Sequence, residues 1–176
     1  FAERGFDNTT VKDLCSAAGV GSGTLFHYFA DKRAVFHALL DLDRDTTVAD
    51  LRAIAHDDPA QRLWAVVDRL TEDLSDPAAG AFMLAILGQL TTDPRVGEIL
   101  GEIDRVAEEI LRDTMEDLLT NGGATGWDAA DAATWIRSIV DGLYLRCADD
   151  GFDPAAEQAR LRLVLTRMLG LDPACG

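Results

Sequence analysis

Within seven residues the chain sets out Ser22, Gly23, Thr24, Phe26, His27 and Tyr28, followed closely by Lys32. These groups suit contact with a nucleic-acid duplex better than the making and breaking of bonds. A threonine can bond to a base edge or touch a thymine methyl, and histidine and tyrosine can reach phosphate or base acceptors. At about 100° per residue Gly23, Thr24, Phe26 and His27 share one helix face, with Tyr28 at its flank. Asp31 is placed to cap the next helix, so Lys32 would sit beside free backbone N–H groups as a phosphate clamp. No Ser/His/Asp set, metal-ligand spacing or phosphate loop accompanies them, so no enzyme, cofactor or metal is expected. A catalytic reading would have to fall back on Asp68 and Asp141 as buried carboxylates. His37 and His56 show no convincing partners and read as solvated or locally bonded.

The elements that must position this face can be read from their punctuation. Thr9 or Thr10 suits an N-cap, and with Thr10 as cap Asp13 stands three residues on, at the positive helix end. Val11, Leu14, Cys15 and Ala18 then form one inward stripe. Gly19 ends the helix in the left-handed conformation, with Val20 folding back on Cys15. Gly5 repeats the device one step earlier, with Phe6 folding back on Phe1, so FAER reads as the last turn of a helix. The next helix starts at Gly21 or Ser22, turns Leu25 and Phe29 inward and leaves the Gly23–Tyr28 face outward. The pattern is a helix-turn-helix with an outward recognition helix.

The remainder is all-α in pattern. A helix from Lys32 through VFHALLDL, extending toward Ala55, links the head to the body. Pro59 opens a helix with Leu63, Trp64, Val66, Val67, Leu70 and Leu74, and Pro77 opens one whose centre, FMLAIL, is apolar on all sides and should be buried. Pro94 begins a long helix with Val96, Ile99, Ile103, Val106 and Ile110, reaching Leu119. NGGATG is a loop, Asp128 caps a helix through Cys147, and GFDP precedes a last helix with Leu161, Val164, Leu165, Met168 and Leu169. Residues 1–45 therefore form a head and 46–176 a larger helical body.

The chain of 176 residues is 48% hydrophobic, enough to bury a substantial core, yet its longest apolar run is far too short for a membrane span. No membrane partner is expected. Three cysteines (Cys15, Cys147, Cys175), odd in number and far apart, fit reduced thiols in a cytoplasm. The net charge of −15 opposes nonspecific binding to a polyanion. However, residues 1–33 balance Arg4, Lys12, Lys32 and Arg33 against Glu3, Asp7, Asp13 and Asp31, so the whole deficit lies in residues 34–176.

FAERGFDNTTVKDL, AAGVGSGTLFHYF and DKRAVFHALL together resemble the DNA-binding region of the tetracycline-repressor (TetR-like) family of bacterial transcriptional regulators. The resemblance covers about a quarter of the chain; the rest shares helicity and length. It implies contacts to a double-stranded operator from Thr10, Val11, Ser22, Gly23, Thr24, Phe26, His27, Tyr28 and Lys32. Phe26 stands where the family usually has tyrosine, and Gly21 and Ser22 where a polar or basic residue is common. Operator affinity or preference should differ accordingly, with the same docking. Because the chain starts at Phe1, within a helix, a preceding stretch, often basic in relatives, is expected.

The resemblance further implies a homodimer formed by the last two helices, with Ile139, Leu143, Leu161, Leu165 and Met168 as interface candidates. Such a dimer would read a palindrome, with recognition helices about 34–36 Å apart. It also implies a body cavity for a small-molecule effector. Trp64, Phe82, Met83, Ile86, Leu87, Gln89, Ile103 and Trp135 are candidates for its lining, and their aromatics and methionine suit an apolar or flat ligand. The expected function is a ligand-responsive repressor. The rival readings are a helical adaptor that kept the head but lost DNA binding, and an all-α carrier or enzyme.

Overall fold

The computed structural model describes residues 1–76, 78–124, 126–147 and 149–171. Among them nine α-helices and no strand are found: α1 Gly5–Asn8, α2 Val11–Ala18, α3 Ser22–Tyr28, α4 Lys32–Ala53, α5 Pro59–Thr71, α6 Ala79–Leu87, α7 Pro94–Thr120, α8 Ala129–Arg146 and α9 Pro154–Leu169. A 3₁₀ turn, Glu72–Ser75, extends α5 and carries the buried Leu74. The expected helix opening at Pro77 and the thiol Cys175 lie outside the described residues. Cys15 and Cys147 are free thiols.

Helix starts follow local chemistry. Three Asp-Pro pairs open helices, because the carboxylate accepts from the first-turn amides while proline occupies a position whose N–H has no helical acceptor. Asp58 thus caps α5, Asp93 caps α7 and Asp153 caps α9. Asp31 and Asp128 cap α4 and α8 in the same way. Gly19 closes α2 at φ 66°, where a side chain would be strained, and the Val20 amide donates back to the Cys15 carbonyl at 3.0 Å.

Two apolar clusters hold the molecule. The larger is made by the inner faces of α5, α7, α8 and α9, with Leu63, Val66, Leu111, Met115, Ile136 and Leu165 among its members. The smaller joins head to body: Phe6, Phe36 and Leu40 pack with Ile86, Val96 and Ile99. Phe36, fully buried, has ring centroids of Phe1 at 5.0 Å, Phe6 at 5.1 Å and Phe82 at 6.1 Å.

Three expectations need correcting. The α2 stripe is only half-buried at Val11, Leu14 and Cys15, and Ala18 is exposed, because none of the described helices covers that side of α2. Helix α6 is not sealed on all sides: Leu84 is exposed, and Phe82, Met83 and Leu87 are half-buried along the wall of a cavity. The dimer candidates are mostly spent inside the protomer: Leu143, Leu161 and Leu165 are buried in its own core, and Ile139 and Met168 pack against it. The apolar side chains that α8 and α9 leave in solvent are instead Trp135, Leu145, Leu163 and Val164.

Candidate nucleic-acid interface and effector cavity

Helix α2 is set by a reciprocal capping box. The Asp13 amide donates to Thr10 Oγ1 at 3.2 Å, and the Thr10 amide donates to the Asp13 carboxylate at 2.9 Å. The Thr10 hydroxyl, donating to the Asp13 carboxylate at 2.6 Å, is the largest cause holding that carboxyl below its ordinary range, followed by the Thr10 amide and the charges of Arg4 and Lys12. Helix α3 then leaves the turn with only Leu25 buried. Ser22, Gly23, Thr24 and His27 are all exposed, as are Phe26 (50%) and Tyr28 (74%), and the His27 and Tyr28 rings meet edge to face at 5.0 Å. A side chain added at Gly23 would meet no protein atom within 4 Å, so internal packing does not demand glycine there. Large aromatics left in solvent on a seven-residue helix are a surface built for contact.

Lys32 departs from the expected clamp. Its ammonium donates to the carbonyls of Phe6 at 2.7 Å and Asp7 at 3.1 Å and lies over the Phe6 ring. The Phe6 carbonyl, which also accepts from the Thr9 amide at 3.3 Å, and the Asp7 carbonyl lie at the end of α1, so Lys32 pins α1 to α4. Arg4 pairs with Asp13 at 2.9 Å.

Arg33 turns away from the recognition face toward the body. Its Nη1 donates to Asp93 at 2.5 Å, and His37 Nε2 meets the same carboxylate at 2.7 Å. Burial opposes the charge on Asp93, but the His37 and Arg33 bonds outweigh it and hold the carboxyl below its ordinary value. Sequence reading missed this site because its members lie 56 and 60 residues apart.

The body holds a cavity of about 660 Å³ between α4, α5, α6, α7 and α8. Phe82, Met83, Ile86, Leu87 and Ile103 line it as expected, joined by Leu70, Leu90 and Leu100. Trp64 does not: it is buried in the main core with the Arg162 guanidinium over its ring. Trp135 does not either, because α8 turns it outward, and Gln89 is buried in the turn after α6, outside the lining.

One wall is polar, which hydropathy patterning could not foretell. Asp43, Asp73, Asp76, Asp104 and Asp141 face Arg69, Arg137 and Tyr144 there. Arg137 Nη2 bridges Asp104 at 2.6 Å and Asp141 at 2.8 Å, while its buried Nε finds no partner. Asp43 and Asp73 make no ion pair among the described residues. Partial desolvation at the cavity wall raises the Asp43 carboxyl above its ordinary value and Asp73 adds to it, against Arg69; it likewise raises Asp141, with Asp104 and Glu108 adding, against Arg137. The Tyr144 phenol donates to the Leu70 carbonyl at 3.0 Å, and burial, then Asp73, pushes it well above its usual range. Asp68, paired with Arg162, and Asp141, paired with Arg137, are both exposed, so neither is the buried carboxylate that a catalytic reading needs. No described helix is long and apolar enough to cross a membrane.

Comparison with known proteins matches two family profiles. "Bacterial regulatory proteins, tetR family" covers residues 1–39, and "BetI-type transcriptional repressor, C-terminal" covers residues 59–170. The transcriptional regulator BetI of Burkholderia mallei is 32% identical over 170 residues, spanning 92% of this chain and 82% of the relative. UidR of Escherichia coli is 25% identical over 175 residues, spanning 97% and 85%. In fold, a TetR regulator from Haloarcula marismortui superposes with a TM-score of 0.83 at 19% identity, over 96% of this chain and 89% of that one. A regulator from Saccharomonospora viridis solved in complex with choline gives 0.77 at 21% identity, over 96% and 90%.

Proposed function

Because the chain belongs to the TetR family of bacterial transcriptional regulators and carries a BetI-type C-terminal domain, we propose that it acts as a repressor whose α3 enters the major groove of a palindromic operator. The carrying observation is the solvent-facing ridge Thr24–Phe26–His27–Tyr28, aromatic and polar, on a helix whose only buried residue is Leu25. Thr24 and His27 would read base edges. Ser22, Phe26, Tyr28, Thr10 and Val11 would position the helix on the backbone, with Gly23 allowing close approach. Lys32 contributes by fixing α1 rather than by gripping phosphate.

Residues 1–45 serve as the DNA-binding head and 46–176 as the effector-binding and dimerisation body. The homodimer forms through the outer faces of α8 and α9, where Trp135, Leu163 and Val164 stand exposed. The effector occupies the cavity against α6. Its apolar floor supports a ligand with a hydrophobic body, and Asp43 and Asp73, without an ion pair among the described residues, favour a cationic or donor-bearing end. The choline held by the Saccharomonospora regulator is consistent with such a class. Binding would favour a body conformation that respaces the heads; a coupling of about 1–3 kcal/mol changes operator affinity some 5- to 150-fold.

A gel shift with DNA flanking the protein's own gene tests the reading. Thr24→Ala/His27→Ala should abolish specific retention while the folded state is kept, since both side chains are exposed. Each lost base contact costs about 1–3 kcal/mol per head. Undiminished retention by the double variant would overturn the assignment of α3.

A further inference from the structure

The α6–α7 connection runs from the cavity wall to the head without slack. Leu87 and Leu90 line the cavity, and the Gln89 carbonyl accepts from the amides of Thr92 at 3.0 Å and Asp93 at 2.8 Å, tightening the turn into a hydrogen-bonded unit. Its last residue, Asp93, is 5% exposed and does two things at once. One carboxylate oxygen caps α7 by accepting from the Arg95 amide at 3.2 Å, and the other takes Arg33 and His37. Arg33 and His37 belong to the opening turns of α4, separated from the recognition helix by only a short connection. Arg33 also lies over the Phe6 ring, which ties the pin to α1.

We propose that Asp93 is the coupling residue of the regulator: its carboxylate holds the start of α4 to the N-terminus of α7, so a displacement of α6 by an occupant of the cavity reaches the recognition helix through this contact. The inference rests on the effector-cavity reading above and names the route of its regulation. The same helices share further ion pairs, Arg95 with Asp41 at 2.8 Å and Arg44 with Glu102 at 3.5 Å, but each has a substantially solvated carboxylate, and such pairs carry little energy. The buried, doubly bonded Asp93 differs in kind, because removing one partner of a buried hydrogen-bonded charge is felt strongly.

The test needs no knowledge of the effector. Met83→Trp places a built-in occupant in the cavity, and the probe is a duplex selected by the unmodified protein from a randomised pool. Met83→Trp alone should change operator affinity by about fivefold or more. Asp93→Asn keeps the α7 cap, since asparagine caps as well as aspartate, and removes the charge facing Arg33 and His37. In that background Met83→Trp should change affinity less than about twofold, whereas in Arg95→Met the full effect should persist. Arg33→Gln/His37→Gln breaks the pin from the head side, should uncouple in the same way, and carries the test if Asp93→Asn does not fold. An undiminished Met83→Trp effect in either pin variant overturns the proposal, as does its loss in Arg95→Met. A Met83→Trp variant with unaltered affinity in the otherwise unmodified protein overturns the effector-cavity reading itself.

Discussion

Replacing Phe36 by alanine should separate head from body. Phe36 is fully buried, and its three ring partners come from both sides of the junction: Phe1 and Phe6 from the head, Phe82 from the cavity wall. Burying a side chain of this size is worth about 1.5–3 kcal/mol. Each aromatic pair adds roughly 0.5–1.5 kcal/mol. Partial collapse of the site recovers some of that sum, and Phe→Ala substitutions in cores accordingly cost about 3–5 kcal/mol. For a chain of this length each kcal/mol moves the melting temperature by roughly 2–4 °C, so a drop of about 6–20 °C is expected. Urea denaturation followed by circular dichroism measures the loss, at fixed protein concentration because self-association shifts the midpoint. Hydrogen exchange should show protection falling first in α1 and the first half of α4, while α7 and α8 stay protected. A cost below about 1 kcal/mol, or loss of protection spread evenly over the body, would refute the claim that this ring joins the two parts.

Three further outcomes follow from exposure and titration. Trp135→Asp and Val164→Asp should leave the protomer folded and shift sedimentation from dimer to monomer, whereas Leu165→Asp should unfold it; a dimer that survives both surface changes would place the interface elsewhere. Asp43→Asn should be more stable than the unmodified protein at pH 7. The folded carboxyl is raised, so its contribution to stability is complete below the unfolded value near ~4 and lost as pH rises through the folded value, a loss asparagine does not suffer. Asp93→Asn should show the opposite sign: the lowered carboxyl contributes above the unfolded value and loses that contribution as pH falls through the folded one. Denaturation midpoints from about pH 3 to 8 read both, and a destabilised Asp43→Asn at pH 7 would count against an under-compensated cavity wall.

Local chemistry made the head legible. Thr10 with Asp13, Gly19 at positive φ, and Asp31 before α4 each act within a few residues, and a four-residue hydrogen bond is written in the sequence that makes it. The Asp-Pro starts of α5, α7 and α9 were readable for the same reason. Side-chain destinations across the body were not. Leu161 and Leu165 on one side, and Leu163 and Val164 on the other, belong to the same apolar stretch of α9; only the packing of α8 on it decides which two face inward. Trp64 and Phe82 look alike as cavity candidates, yet one lies under Arg162 and the other opens on the cavity. His37 seemed partnerless because its carboxylate sits on another helix, 56 residues away. The short 3₁₀ extension after α5 carried no signal either, since Leu74 continues the helical period.

The uneven charge of the molecule acquires a meaning once the head's cations are followed to their partners. Arg4 is engaged by Asp13, Arg33 by Asp93 and Lys32 by two carbonyls, whereas Lys12 is exposed and makes no ion pair among the described residues. Few cations among residues 1–33 are therefore free to release counterions from phosphates, the term that dominates sequence-independent binding. The rest of the chain adds repulsion, since residues 34–176 carry the whole of the −15. If α3 docks as proposed, a head that gains little from the DNA backbone would draw its affinity from what α3 presents to the base edges, and the ratio of specific to nonspecific binding would rise accordingly. The exposed hydroxyl, imidazole and aromatic groups of α3 are suited to that task because they discriminate between bases where a lysine would only attract. The acidic body, repelled by the duplex it stands above, also disfavours every approach except the one that leads with the head.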